Sequence, residues 1–97
     1  MYYELGNLST IIRNAEPNNI IPLCEYKVMR SDITKCMKQI SKPIESDTAF
    51  KVYLTSLKTL HDFLLTKYID GVFGIDMYYA LCKLSRYLKN YGMECVQ

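Results

Sequence analysis

The chain has 97 residues, of which 49% are hydrophobic and 23% are charged, and its formal net charge is +2 at pH 7. This length suits one domain, and this balance of residues excludes a disordered polyelectrolyte. No apolar run reaches the roughly 18 residues that a transmembrane helix needs. We therefore expect a single helical domain over residues 1–97, without the strong charge that would demand a nucleic-acid partner and without a membrane partner.

The N-terminal segment, Met1-Tyr2-Tyr3-Glu4, lacks the basic and apolar regions of a signal peptide, which predicts a cytoplasmic protein. In that compartment cysteines stay reduced, so we expect free thiols at Cys24, Cys36, Cys82 and Cys95. The many Tyr, Ile, Lys and Asn codons are AT-rich. We interpret this composition as an indication of a phage, viral or other mobile-element gene.

Apolar residues recur at helical spacing along most of the chain, which predicts an all-α bundle of four to five helices. A weak first helix spans about Glu4–Ala15, and Gly6 inside it lowers its stability. A turn is predicted over Glu16–Asn19. The segment Ile20–Arg30 is ambiguous, because Pro22 can open a short helix there.

Three stronger helices follow. The first is predicted over Ser31–Ser41, with its first residue as the N-cap. The longest covers Asp47–Ile69, with Ser46 or Asp47 as the N-cap and Gly71 just beyond its end. Its apolar residues share one broad face, so it should be the central helix of the bundle. After a short turn, a helix over Asp76–Tyr91 should pack against it as the second half of a helical hairpin.

His61 lies on the apolar face of the long helix, between Leu57 and Leu64. We interpret it as a buried neutral histidine whose ring N–H donates to a carbonyl or a tyrosine hydroxyl. A pH-sensitive packing role or a metal-ligand role is the alternative. The cysteines lack the close pairs of a zinc site, and no local motif supplies a catalytic constellation. The sequence therefore predicts a non-enzyme without metal or cofactor.

The outer face of the last helix mixes aromatic and cationic residues, a composition that is enriched at protein interfaces. The candidate contact residues there are Tyr78, Tyr79, Lys83, Arg86 and Lys89. A simpler interpretation is that one of the tyrosines packs on the N-terminal segment of the chain and the cations only solubilise the helix.

Two further surfaces are candidates. Val52 and Phe63 lie three turns apart on the long helix and form a narrow apolar line, which suits helix docking in a homodimer unless another helix covers it. The helix before it carries a basic stripe. That stripe is either a solvated face or a phosphate-contacting surface, and it consists of Arg30, Lys35, Lys38 and Lys42.

From these surfaces we expect a small protein-interaction module that binds and modulates a larger protein, such as an accessory or inhibitor protein of a phage or virus. The alternative is a helix-turn-helix-like nucleic-acid-binding regulator whose recognition helix is the last one. The first turn of that helix, Met77–Tyr79, lacks the basic residues that base contacts need, which favours the first interpretation.

Overall fold

A computed structural model describes residues 1–15 and 22–93, and it confirms the all-α prediction. Within these residues the chain forms α-helices and no strands. The helices are α1 (Tyr2–Asn14), α2 (Leu23–Ile40), α3 (Asp47–Ile69) and α4 (Ile75–Asn90). The predicted turn over Glu16–Asn19 and the fourth cysteine, Cys95, lie outside the described residues.

The helices pack as a ring in which each contacts two neighbours: α1 with α2, α2 with α3, α3 with α4, and α4 with α1. The body measures 41 × 24 × 20 Å. The long helix α3 lies between α2 and α4, as a central helix should, and its outer side stays exposed. Since α2 and α4 are diagonal members of the ring, their outer faces point to opposite sides of the molecule.

The bounds of α3 match the prediction because both of its ends are capped by the residues that the sequence indicates. The Ser46 hydroxyl accepts a hydrogen bond from the Ala49 N–H at 3.1 Å. At the other end Gly71 adopts a φ of 83°. The N–H groups of Gly71 and Val72 donate to the carbonyls of Tyr68 and Lys67, both at 3.0 Å, which is the Schellman arrangement.

The same Schellman arrangement ends α4, where Gly92 has a φ of 78°. The Gly92 N–H donates to the Lys89 carbonyl and the Met93 N–H to the Leu88 carbonyl, both at 3.0 Å. Glycine is the residue that reaches this left-handed conformation without a steric penalty. Both long helices of the hairpin therefore stop where a glycine allows the chain to turn.

One core runs through the bundle and takes apolar side chains from all four helices. The side chains with no exposed surface are Leu5, Leu8, Ile12, Met29, Leu57, Leu64, Met77, Leu84 and Leu88. Val72 and Phe73 close the core beneath the α3–α4 turn. Burial of each such side chain stabilises the fold by about 1.5–3 kcal/mol, so the core rather than helix propensity holds the bundle together.

The prediction for α2 is wrong at its start, because the helix begins at Leu23 and not at Ser31. Pro22 occupies the N-cap, and the buried Tyr26 and Met29 continue the apolar face of the helix toward its N-terminus. Ser31 is an exposed residue within the helix. Burial of this added apolar stripe outweighs the capping tendency of Ser31, which would have placed the N-cap nine residues later than Pro22.

The ends of α1 and α4 also differ from the predictions. α1 begins at Tyr2 instead of Glu4. The N-cap of α4 is Gly74, and Asp76 lies in the first turn, where its carboxylate accepts a hydrogen bond from the Met77 N–H at 2.9 Å. The Met77 N–H also donates to the Gly74 carbonyl at 3.1 Å, so Asp76 supplies a second acceptor in the first turn and is not the N-cap.

The described cysteines are free thiols, as the sequence predicts. Cys24 is exposed, Cys36 is buried and Cys82 is half-buried. Burial raises the pKa of the Cys36 thiol to about 11, so this sulfur is an inert packing group at neutral pH.

Two glycines should respond to alanine in opposite directions. Gly71→Ala forces a side chain into the left-handed region and should lower the free energy of unfolding by about 1 kcal/mol. Gly6 lies inside α1, and an added Cβ there meets no atom within 4 Å. Gly6→Ala should therefore raise the free energy of unfolding by about 0.5–1 kcal/mol. Urea denaturation followed by circular dichroism measures both, and a change of the same sign in the two variants would contradict the assigned conformations.

Candidate functional site

A groove of about 500 Å³ lies between α3 and α4, and most of the residues that line it are polar. Leu65 of α3 and Leu81 of α4 give it an apolar lining. Its polar lining residues are His61, Tyr78, Cys82, Ser85, Arg86 and Lys89. We refer to this feature as the α3–α4 groove.

His61 is buried, with 3% of its surface exposed, as the sequence predicts. Its hydrogen-bond partner differs from the predicted carbonyl or tyrosine hydroxyl: the ring Nδ1 lies 3.0 Å from Oδ1 of Asp62. The second oxygen of Asp62 accepts a hydrogen bond from the Lys58 ammonium, also at 3.0 Å. The three side chains form a short hydrogen-bonded chain on α3, and His61 at its end lines the groove.

Asp62 is held as a carboxylate. Partial burial raises the pKa of this group, but the hydrogen bonds from His61 and Lys58 outweigh that effect, and the pKa lies below its ordinary value. A carboxylate can only accept hydrogen bonds, so Nδ1 of His61 is the protonated ring nitrogen. In the neutral ring, Nε2 then carries the lone pair.

Tyr78 and Cys82 lie one turn apart on the α4 side of the groove. A hydrogen bond to the Cys82 side chain raises the pKa of the Tyr78 hydroxyl above its ordinary value. The Tyr78 ring packs on Tyr68 of α3, with ring centroids 5.7 Å apart, and on Tyr79, at 5.9 Å. These contacts fix the position of Tyr78, although 43% of its surface stays exposed.

Arg86 and Lys89 follow on the same side of α4, and both are exposed. Neither forms an ion pair with a residue in the ranges 1–15 and 22–93. The carboxylate nearest in the chain to His61, that of Asp62, is already shared between His61 and Lys58. The groove therefore presents two cations that the described part of the chain does not neutralise.

The candidate contact residues of α4 divide between two grooves. Tyr78, Arg86 and Lys89 line the α3–α4 groove. Tyr79 and Lys83 line a separate groove of about 400 Å³ between α1 and α4, which we call the α1–α4 groove. The exposed Tyr79 and Lys83 thus offer the same residue types on the other side of the same helix.

The apolar line on α3 is less exposed than the sequence indicates. Val52 is 52% exposed, but Phe63 is half-buried and packs against the core. Lys67, one turn after Phe63, places its ammonium 5.5 Å from the Phe63 ring centroid and 2.6 Å from the Glu25 carboxylate of α2. The neighbouring helix α2 therefore covers this part of the line, and the homodimer stays a prediction.

The basic stripe follows the outer face of α2, and all four of its residues are exposed. Arg30, Lys35 and Lys38 line a shallow surface depression, and Lys42 follows just after the helix. The Arg30 guanidinium lies 5.9 Å from the centroid of the Tyr26 ring. Since α2 and α4 do not contact each other, this stripe and the cations of the α3–α4 groove belong to separate surfaces of the bundle.

The amphipathic pattern of α3 places His61 in the core but does not indicate its contact with Asp62 or its place in one groove with Cys82. The sequence does contain a signal that would place His61 and Cys82 at the same level of the hairpin. His61 lies ten residues before Gly71, and Cys82 lies ten residues after Val72. In an antiparallel hairpin that turns at Gly71 and Val72, residues at equal distance from the turn come to the same level.

No protein-family model, curated protein or solved structure matches the chain. Among the described residues, no group of three or more His, Cys, Asp or Glu side chains is placed to hold a metal ion. None of the four described helices combines the length and apolar character that a membrane crossing requires. The function must therefore be argued from the surfaces of this molecule.

The Asp62 carboxylate should contribute stability in a pH-dependent way. Its pKa is lower in the folded chain than the ordinary value of 3.8. Its contribution is therefore present above that value and is lost as the pH falls through the lower folded-state pKa. Asp62→Asn should lower the free energy of unfolding by about 1 kcal/mol at neutral pH, and the difference from the unmodified chain should vanish in acid.

The matched control is Asp32→Asn, since Asp32 is also half-buried but forms no ion pair with the described residues. Urea unfolding at a series of pH values measures both variants. A loss for Asp62→Asn that stays constant down to acid pH would show that the carboxylate charge is not what stabilises the fold.

Proposed function

We propose that this chain is a non-enzymatic protein-interaction module that binds a larger protein through the α3–α4 groove. One observation carries the proposal. On two tightly packed helices, the groove combines an exposed tyrosine, two cations without partners in the described chain, and an apolar lining. Tyrosine and arginine are the residue types that dominate binding energy at protein interfaces.

The groove indicates the chemistry of its partner. Arg86 and Lys89 lack carboxylate partners among the described residues, so charge complementarity favours a partner segment with acidic side chains. Leu65 and Leu81 favour apolar side chains on the same segment. We therefore propose a docking segment that alternates apolar and acidic residues.

The polar groups of the groove support binding rather than catalysis. His61 and Cys82 line the same groove, but the ring of His61 bonds to Asp62. A cysteine nucleophile needs a base within hydrogen-bond reach, and here the two side chains do not bond to each other. This arrangement favours a non-enzyme.

The alternative function, a helix-turn-helix nucleic-acid binder, has less support. The two helices of such a motif cross at about 90–120°. Here α3 and α4 touch at both ends, through the Phe50–Tyr91 ring pair at 5.0 Å and the Tyr68–Tyr78 pair at 5.7 Å, which is the contact pattern of an antiparallel hairpin. The basic stripe on α2 is the observation that still favours phosphate contacts.

Salt dependence separates the two functions. Nucleic-acid affinity through the α2 stripe should fall steeply between about 50 and 200 mM salt. We propose in addition that the protein acts in the cytoplasm as an accessory or inhibitor protein of a phage, virus or mobile element. The AT-rich composition supports this origin.

The groove can be tested with a double variant and a control on the same helix. Tyr78→Ala with Arg86→Ala should weaken binding of the natural partner by about 1,000-fold, since truncation of each residue costs about 2 kcal/mol and the two together cost about 4 kcal/mol. The control, Tyr79→Ala with Lys83→Ala, removes the same chemistry from the α1–α4 groove. It should leave the affinity within about twofold of the unmodified chain.

The measurement is isothermal titration calorimetry with the purified partner, and circular dichroism checks that both variants stay folded. Recovery of a partner from a lysate does not by itself support the proposal. Equal affinity of both double variants would contradict the assignment to the α3–α4 groove, and so would a larger loss in the control. Steeply salt-dependent binding to duplex DNA would favour the alternative function.

A further inference from the structure

The longest helix, α3, has an outer side that no other described helix covers, since α3 contacts only α2 and α4. The exposed residues along the middle of this side follow one another at helical spacing, with the half-buried Asp62 in the only gap. They are Val52, Thr55, Thr59, Thr66 and Ile69. We refer to these five residues and Asp62 as the α3 outer face.

The composition of this face does not favour a solvated helix. Its five exposed side chains are all β-branched, and such side chains lose rotamer freedom in a helix. Val52 and Ile69 are also large apolar groups, with 52% and 69% of their surface exposed. A contact with a second helix would use both the rigidity and the apolar area of these side chains.

The threonine hydroxyls of the face already have acceptors within α3. The Thr55 hydroxyl donates to the Lys51 carbonyl at 2.9 Å. The Thr59 hydroxyl donates to the Thr55 carbonyl at 3.0 Å, and the Thr66 hydroxyl donates to the Asp62 carbonyl at the same distance. A partner can therefore cover these threonines without leaving a buried donor unpaired.

The residues of the face are arranged symmetrically about the midpoint of segment 52–69. Val52 and Ile69 are its apolar ends, and Thr55 and Thr66 lie equally far inside them. An interface between identical chains that are related by a two-fold axis needs such symmetry, because each position must fit its counterpart. When two copies of α3 run antiparallel about this midpoint, Val52 of one copy faces Ile69 of the other, and Thr55 faces Thr66.

Charge selects the antiparallel direction. Lys58 and Asp62 flank the midpoint and bond to each other at 3.0 Å, and 35% and 27% of their side-chain surfaces stay exposed. In the antiparallel arrangement Lys58 of each copy comes beside Asp62 of the other, so the four charges alternate in sign around the two-fold axis. A parallel arrangement would instead bring the two Asp62 carboxylates together.

We propose that the α3 outer face is the contact between two copies of this chain, with α3 packed antiparallel on α3 about the midpoint of segment 52–69. This segment spans about 27 Å of helix, which makes a small interface. We therefore expect a reversible dimer with a dissociation constant on the order of 10 μM. The threonines of the face do not line the α3–α4 groove, so dimer formation and the proposed function can be tested separately.

The first measurement is sedimentation equilibrium of the full-length protein from about 1 μM to about 1 mM, a range that brackets the expected dissociation constant. A reducing agent is present throughout, because Cys24 is an exposed thiol. The average mass should rise from that of one chain to that of two.

A charge pair then tests the register. Thr55→Glu and Thr66→Lys each place an unpaired charge in the interface twice, and each should weaken association by at least about tenfold. The two positions lie about 16 Å apart along one helix, too far for an ion pair within the chain. In the antiparallel dimer they face each other. The double variant, Thr55→Glu with Thr66→Lys, should therefore recover most of the lost affinity.

The matched control is Thr34→Glu on α2. Thr34 is also an exposed helical threonine, and its hydroxyl donates to the Arg30 carbonyl at 2.9 Å. This variant should leave association unchanged. Circular dichroism checks that the variants, all at exposed positions, stay folded.

Three outcomes would overturn the proposal. The first is a chain that stays monomeric up to about 1 mM, which needs no variant. The second is an equal loss of association in Thr34→Glu and Thr55→Glu. The third is a double variant that associates no better than the two single variants, because that result excludes the antiparallel register.

Discussion

The antiparallel packing of α3 against α4 is the constraint on which the rest of the molecule depends. Gly71 permits the left-handed turn, and the buried Val72 and Phe73 tie that turn to the core, so the register of the hairpin is set. From this register follow the ring contacts at both ends of the hairpin, Tyr68 with Tyr78 and Phe50 with Tyr91. The same register brings His61 and Cys82 into one groove. The chemistry of the groove is therefore a consequence of where the chain turns.

Chain length explains why that chemistry lies between helices and not inside the bundle. A domain of this size buries only about 60–65% of the surface of its unfolded chain, so nearly all of its interior is needed for apolar packing. The core accepts few polar atoms, and those that it holds stay electrically neutral. Tyr53 illustrates this rule: burial, together with the neighbouring Tyr87 hydroxyl, raises the pKa of its phenol. Charged groups are left on the grooves between neighbouring helices, and the buried His61 lines one of these grooves.

The sequence alone predicted the helix ends and buried faces that depend on local signals. Ser46 and Gly71 mark the ends of α3, and the apolar period of that helix identified its buried face, including His61. The start of α2 was not predictable by the same means, because Ser31 and Asp32 resemble a cap, whereas Tyr26 and Met29 become informative only when a core exists to cover them. The sequence predicted individual candidate residues of the groove, but it did not predict which of them line the same groove. Tyr78 and Tyr79 are adjacent in sequence, yet they line different grooves, since the side to which each points depends on which helices flank α4.

The near-neutral net charge of the chain hides a spatial separation of its basic residues, and this separation affects which partners can bind. The basic stripe of α2 and the cations of α4 lie on helices that do not contact each other, so the two groups belong to separate surfaces. A polyanion such as duplex DNA gains affinity by contacting many cations along one surface, which this arrangement does not offer. A single oxyanion needs only two or three donors in a confined groove. Asp62 binds the His61 ring but does not line the groove, so its carboxylate leaves the cations of the groove unpaired. Within the described residues, the distribution of charge therefore gives less support to a duplex-DNA partner than to a partner with a localised anionic group.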